Sequence, residues 1–126
     1  MLEHERGVLV ACSCGEFGGF VLSYGKDGNL LQTLVAGDNP RTLIADQSTL
    51  LLVTGITHLG ISKAELRTFR LVDDRWQPVA ATPLPKDVES ILLEPDGSIL
   101  LRLMFDAGVC RYRAGRLTRA AARQLR

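Results

Sequence analysis

Short apolar segments alternate with polar turns along the whole chain. The clearest group lies between Arg41 and Thr82, where four such segments cover residues 41–45, 49–54, 64–72 and 76–81. The turns between them are rich in Asp, Ser and Gly, residues that favour reversals of the backbone. Four consecutive strands within about 40 residues have the size of one propeller blade. The pattern therefore predicts a four-stranded antiparallel meander.

Two further stretches repeat this order of segments. The first contains apolar segments at 7–13, 20–24 and 30–36, and the last contains them at 88–93, 98–104, 109–113 and from 116 onward. Only six residues precede Gly7, so the first strand of the first unit should be short. Segment 7–13 is apolar at nearly every position, which predicts a strand covered on both faces. We expect one domain, 1–126, with units at approximately 1–36, 41–82 and 87–120.

In each unit, the loop after the second segment contains a polar residue, an apolar residue and a glycine. These loops are Glu16-Phe17-Gly18, His58-Leu59-Gly60 and Asp106-Ala107-Gly108, with 42 and then 48 residues between their glycines. With this spacing the chain resembles the β-propeller repeat proteins over nearly all of its length. The resemblance is one of architecture, because the signature motifs of the WD and kelch repeats are missing. The alternative fold is a β-sandwich or barrel.

The resemblance implies that the chain does not close a ring alone. Propellers contain roughly 4–8 blades, whereas this chain has a little under three. Two apolar blade faces would then meet water, and each exposed Leu, Ile or Val forfeits about 1.5–3 kcal/mol. We therefore expect a partial propeller completed by oligomerisation, as a homodimer or a higher closed ring. The alternative is that the chain is a piece of a longer propeller.

Pro78 indicates where its strand lies in the middle unit. Proline has no N–H for a central strand, so segment 76–81 should be an edge strand, with Trp76 packed. Residues 82–86, with two prolines, should be a connector. The C-terminal segment is predicted to start as a strand and to become helix or fray after Arg119.

Composition and charge exclude several classes of function. Fifteen basic and fourteen acidic residues leave a nearly neutral chain, and its seven aromatic residues are not interleaved in a basic stripe; nucleic-acid binding is not expected. The sequence has no apolar run of eighteen residues, so no membrane interaction is expected. It also has no phosphate-binding glycine loop, and no cofactor is assigned. Three cysteines and a charged start fit reduced thiols in a cytoplasm.

The cysteines are the first candidates for chemistry. Cys12 and Cys14 point to the same side of their strand, because side-chain direction has a period of two. Zinc sites usually space paired cysteines by two to four residues, so this pair is interpreted as small buried hydrophobic residues, like Cys110. Pairing a cysteine with His58 as a base has no supporting motif. No catalytic residue and no metal ligand are assigned.

The loop residues are the second candidates. If the units repeat, then Glu16, His58 and Asp106 lie on one rim of the ring, where they either cap backbone groups or bind a ligand. Arg41 and Glu89, at the starts of inner strands, should face the channel. The sequence thus predicts a non-catalytic interaction or scaffold module that assembles with itself and binds a protein partner at this rim. The alternative is an enzyme or a metal- or small-ligand-binding protein that uses Glu16, His58 and Asp106.

Overall fold

The described chain is almost entirely β-strand. A computed structural model describes residues 1–4, 6–46 and 48–120, apart from the Glu16 side chain. A 3-10 turn at Gly15–Phe17 follows the second strand. The strands are β1 (Leu2–His4), β2 (Gly7–Ser13), β3 (Gly19–Gly25), β4 (Leu30–Ala36), β5 (Asn39–Ala45), β6 (Thr49–His58), β7 (Ile61–Val72), β8 (Arg75–Leu84), β9 (Val88–Leu93), β10 (Ile99–Leu103), β11 (Val109–Arg113) and β12 (Arg116–Ala120).

The strands form three antiparallel sheets of four strands each. The first sheet has the order β1-β2-β3-β4, the middle sheet β5-β6-β7-β8, and the third sheet β9-β10-β11-β12. Each strand pairs with its neighbours in the chain, so every sheet is a meander. Over the described ranges none of the sheets closes into a barrel. The predicted all-β class and the three successive four-stranded meanders are confirmed.

Several local features of the first and middle sheets agree with the predictions made from the sequence. The opening strand β1 is three residues long. β8 is an edge strand, and Pro78 lies where the register shifts opposite Phe69. An edge position and an irregularity both remove the need for a proline N–H. Trp76 is 1% exposed, so the prediction that it is packed is confirmed.

The middle sheet extends further than predicted. β6 and β7 pair continuously up to His58 opposite Ile61, so the expected loop is a tight turn. Leu59 and Gly60 adopt positive φ of 49° and 82°, as a two-residue hairpin requires. β8 continues to Leu84, so the prediction of a connector over 82–86 is wrong for its first half. Leu84 is 5% exposed, and its burial stabilises the added strand despite the neighbouring prolines.

Two separate hydrophobic cores hold the sheets together. The first core lies between the first and middle sheets and contains Leu9, Val21, Val35, Leu50, Leu52, Phe69 and Trp76. The second lies between the middle and third sheets and contains Val53, Ala64, Leu66, Leu84, Val88, Ile99, Leu101, Leu103 and Cys110. The middle sheet contributes residues to both cores. It is therefore covered on both of its faces.

Among the described residues, the first sheet is covered on one face only. Leu9 is buried in the first core, whereas Val8 and Val10 on the opposite face are half-buried. Directly paired residues share a face, which places Leu22 opposite Val10 and Tyr24 opposite Val8. These four side chains define the outer face of the first sheet. Among the described residues the prediction that segment 7–13 is covered on both sides is wrong, because neither of the other two described sheets lies against this face.

The C-terminal strand is formed as predicted, and β12 pairs with β11 up to Ala120. The predicted helix or frayed end falls mostly on residues 121–126, which lie outside the described residues. Within the described ranges, no helix has the length and apolar character needed to cross a bilayer.

Candidate functional site

The middle sheet begins with a buried polar residue that contacts the sheet before it. Asn39, the first residue of β5, is 1% exposed. Its Oδ1 accepts a hydrogen bond of 2.9 Å from the backbone N–H of Cys14. Its Nδ2 donates a bond of 2.7 Å to the carbonyl of Gly15. Asn39 therefore ties the middle sheet to the loop between β2 and β3, and both functions of its amide are satisfied.

The third sheet is tied to the middle sheet by a carboxylate. Asp87 directly precedes β9 and is fully buried. Its Oδ1 accepts from Arg41 Nε at 3.0 Å and from the Val88 backbone N–H at 2.7 Å. Its Oδ2 accepts from Arg41 Nη2 and from Thr57 Oγ1, the latter at 2.9 Å. Four donors surround this carboxylate, so its burial is compensated and it has no accessible lone pair for use as a base.

The backbone of Asp87 extends this tie in two directions. Its N–H donates to Ser62 Oγ at 2.9 Å, and Ser62 Oγ lies 3.2 Å from Thr57 Oγ1. Its carbonyl accepts from the Met104 N–H at 2.9 Å. Asp87 therefore joins the end of the β6–β7 hairpin to the start of the loop between β10 and β11. Both hydroxyls are engaged in this tie, which gives them a structural role.

Gly55 makes room for the Asp87 carboxylate. A Cβ at this position would lie 1.9 Å from Asp87 Oδ1 and 3.2 Å from Arg41 Nε. The first distance is far inside a van der Waals contact, so a larger residue would displace the carboxylate from its donors. A glycine inside a strand commonly marks such a close approach.

Arg41 and Glu89 lie at one concave surface. Both line an open groove of about 670 Å³ beside the first strands of the middle and third sheets. Arg41 is half-buried, because its guanidinium is bound to Asp87, whereas Glu89 is exposed. The other lining residues are Thr42, Ile44, Val88, Ser90, Ile91, Leu93 and Met104. The structure thus brings the two residues predicted to face a channel to the same groove.

Glu16, His58 and Asp106 lie at or just beyond the end of the second strand of their sheets. Glu16 is in the 3-10 turn, and its side chain lies outside the described part of the chain. His58 is the half-buried last residue of β6, and Asp106 is exposed with a φ of 54°. In the part of the chain that the structure describes, no group of three or more His, Cys, Asp or Glu side chains is placed to hold a metal ion.

Backbone groups satisfy much of the hydrogen bonding in these loops. In the first sheet the Gly18 N–H donates to the carbonyl of Gly15 at 3.0 Å. In the third sheet the Ala107 N–H donates to the carbonyl of Met104 at 3.2 Å. The roles of the three polar loop residues, capping or ligand binding, stay predictions.

The two neighbouring cysteines are more accessible than predicted. Cys12 is half-buried and Cys14 is exposed, so the interpretation of both as buried hydrophobic residues is wrong for Cys14. The reason is that β2 ends at Ser13, and Cys14 starts the loop. Their Sγ atoms are 2.9 Å apart, and this hydrogen bond, together with burial, raises the pKa of Cys12. Cys110 is 5% exposed, and burial raises its pKa.

Sequence reasoning did not identify Asn39 and Asp87 as buried ties between sheets. The available signal was positional, because in the middle and third units a small polar residue stands immediately before or at the first strand. The partners Thr57, Ser62 and Gly55 gave no such signal, since they come from a different hairpin.

A comparison of the chain with protein-family models gives no match, and a comparison with curated protein sequences gives none either.

Proposed function

We propose that this protein is a non-catalytic scaffold module whose three sheets are consecutive blades of a β-propeller-like ring, completed by a second copy of the chain. One observation carries the proposal. The middle sheet is buried on both faces between its neighbours, whereas the first sheet keeps an apolar face against which no other sheet of the described residues lies. A second copy supplies the missing neighbour.

The outer face of the first sheet has the character of an interface. Val8, Val10, Leu22 and Tyr24 are all half-buried, and Leu30, opposite Tyr24, is 55% exposed. Removing the exposed remainder of such side chains from water contributes roughly 1 kcal/mol each, at about 25 cal/mol per Å². Several together are comparable to a large share of the stability of a small domain.

The third sheet offers a different surface for the same contact. Leu92 and Arg111 are each directly paired with Leu100 and therefore lie with it on the outer face of this sheet, where Leu100 itself is only 1% exposed. Leu92 is 44% exposed, and Arg111 forms a hydrogen bond of 2.8 Å to Glu94. In a closed ring this mixed face of one copy packs against the apolar face of the first sheet in the other. An apolar centre with a satisfied polar rim is typical of stable interfaces.

A non-catalytic role agrees with how the buried polar groups are used. Asp87, Thr57 and Ser62 satisfy one another and neighbouring backbone groups. A catalytic constellation instead leaves a nucleophile or base facing a space where a substrate can bind. The buried polar side chains at this edge serve to join one sheet to the next.

Self-assembly is tested by light scattering coupled to size-exclusion chromatography. We expect the wild-type protein at micromolar concentration to elute with at least twice its chain mass of 13.8 kDa. Val10→Asp and the milder Leu22→Gln, on the outer face of the first sheet, should shift the mass toward 13.8 kDa. Gln77→Asp, at an exposed position of the middle sheet, is the matched control. A monomeric wild type, or variants with unchanged mass, would contradict the proposal.

We further propose that a protein partner binds in the groove that contains Arg41 and Glu89. Inner strands and their adjoining loops are where a rigid β-scaffold presents binding residues. A photo-crosslinking amino acid at Glu89 should give a discrete adduct in cells that produce the protein. The same group at Lys26, an exposed position in a turn of the first sheet, should not. Equal labelling at both positions, or none at position 89, would count against a partner at this groove.

A further inference from the structure

The two cysteines at the end of β2 are arranged to react with each other. Their sulfur atoms are 2.9 Å apart, less than 1 Å longer than the roughly 2.05 Å of a disulfide bond. Cys12 lies within β2, opposite Phe20, and Cys14 lies just beyond the strand with φ −108° and ψ 23°. The ψ of 23° shows that the chain leaves extended geometry at Cys14, where the strand ends and the loop begins. Two cysteines in a fully extended strand would be held near the upper limit of bridging distance.

The surroundings of the pair fix this geometry. The Cys14 N–H is held by Asn39 Oδ1 and by the Gly18 carbonyl, both at 2.9 Å. Asn39 is itself buried in the tie between the first and middle sheets. The backbone on both sides of the dithiol is therefore anchored, while the Cys14 side chain is exposed and open to a small reagent.

We propose that Cys12 and Cys14 form a redox-active dithiol that low-molecular-weight disulfides oxidise to an intramolecular disulfide. In the first step the Cys14 thiolate attacks one sulfur of the small disulfide, whose S–S bond breaks and releases one small thiol. In the second step Cys12 loses its proton and attacks the Cys14 sulfur, which breaks the mixed disulfide and releases the second small thiol. The two cysteines lose two electrons and two protons, and the small disulfide gains them as two thiols.

The two cysteines differ in a way that sets this order. Cys14 is the more exposed sulfur, so a reagent reaches it first. For Cys12, the hydrogen bond with Cys14 and burial raise the pKa of the thiol above its ordinary value in the reduced protein. Oxidation should become faster as the pH rises, because each of the two exchange steps needs a thiolate as the attacking group. This assignment does not depend on the ring proposed above.

Oxidation is tested on the folded full-length chain carrying Cys110→Ala, equilibrated with glutathione and glutathione disulfide at defined ratios. After alkylation of free thiols, mass spectrometry should show a species lacking two hydrogens with neither cysteine alkylated. Cys12→Ser in the same background should stop at a mixed disulfide with glutathione on Cys14. Three outcomes would overturn the proposal. Both thiols could stay unreacted, a mixed disulfide could persist with both cysteines present, or a disulfide could form between two chains.

A second measurement separates the folded geometry from mere closeness in sequence. When half of the protein is oxidised, the squared concentration of glutathione divided by the concentration of glutathione disulfide gives the effective concentration of one cysteine at the other. We expect this value to be at least about tenfold higher in the native protein than in concentrated urea, because folding holds the two sulfurs together. A native value equal to or lower than the value in urea would overturn the proposal.

Discussion

Two buried side chains at corresponding places in the fold each join two sheets, but they do so with different chemical groups. Asn39 joins the middle sheet to the first, and Asp87 joins the third sheet to the middle. Asn39 exchanges one hydrogen bond each with Cys14 N–H and the Gly15 carbonyl. Asp87 accepts four hydrogen bonds, two of them from the Arg41 guanidinium. A neutral amide therefore ties one pair of sheets, and a compensated charge ties the other.

The two junctions should therefore differ in how much stability they lose when the joining side chain is substituted. Removing a neutral partner leaves backbone groups that lose a hydrogen bond of ordinary strength. Removing one member of a buried ion pair leaves a charge with no compensation, at a cost of about 3–5 kcal/mol. The junction between the middle and third sheets should therefore be the more sensitive of the two.

Asp87→Ala should have the largest effect on stability. It leaves Arg41, Thr57 and the Val88 N–H without their acceptor. The Arg41 side chain is 24% exposed, so water can solvate part of its charge. We expect a loss at the lower end of about 3–5 kcal/mol, measured by urea unfolding. Asp87→Asn, which removes the charge but keeps one acceptor oxygen, should lose less. Equal losses would show that the remaining acceptor contributes nothing, and a loss from Asp87→Ala no larger than that of Asn39→Ala would contradict the role of the charge.

Gly55→Ala should rank second, because the added methyl group collides with the Asp87 carboxylate. We expect a loss of about 1–3 kcal/mol, typical of overpacking. The same substitution in an Asp87→Ala background should cost much less, since the side chain it meets is gone. A double-mutant cycle by urea unfolding measures this coupling, which should be about 0.5–3 kcal/mol. Strict additivity would contradict the close approach.

Asn39→Ala should have an effect no larger than that of Gly55→Ala, about 1–3 kcal/mol, because both of its partners are backbone groups of one loop. Asn39→Asp places a titratable group at the junction that is normally held by a neutral amide. Its carboxylate would face the Gly15 carbonyl, so burial and this contact should raise the pKa of the introduced group. The variant's deficit relative to wild type should then grow as the pH rises above about 4 and shrink in acid. Paired urea titrations at pH 4 and 7 check this, and a deficit independent of pH would contradict the described contact.

The smallest effect concerns two exposed turn carboxylates, Asp27 and Asp96. Hydrogen bonds from Asn29 and Ser98 hold their pKa values below the usual 3.8. A lowered pKa in the folded state contributes stability above the unfolded pKa, and the contribution is lost as the pH falls toward the folded value. Asp96→Asn should therefore reduce the loss of stability between pH 5 and 3, with Asp106→Asn as the control. An unchanged acid dependence would show that the turn bond is absent in solution.

Much of the fold was predictable because strand and turn signals are local. Pro78 indicated an edge strand, and the six residues before Gly7 indicated a short first strand. The extension of β8 to Leu84 was not predictable, since Leu84 is buried in the core between the middle and third sheets. The pairing of His58 with Ile61 was not predictable either, since Thr57 and Ser62 beside it bind Asp87, which directly precedes the third sheet. The ties at Asn39 and Asp87 depend on partners from other hairpins, such as Gly55. Their position was visible in the sequence, but their burial and hydrogen bonding were not.

The central claim is that the uncovered face of the first sheet is completed by another copy of the chain. Sedimentation velocity of the wild-type protein across micromolar concentrations tests it most directly. The account predicts a closed species of defined size, at two or more times 13.8 kDa, with no growth into larger assemblies. A single folded species at the mass of one chain throughout this range would contradict it.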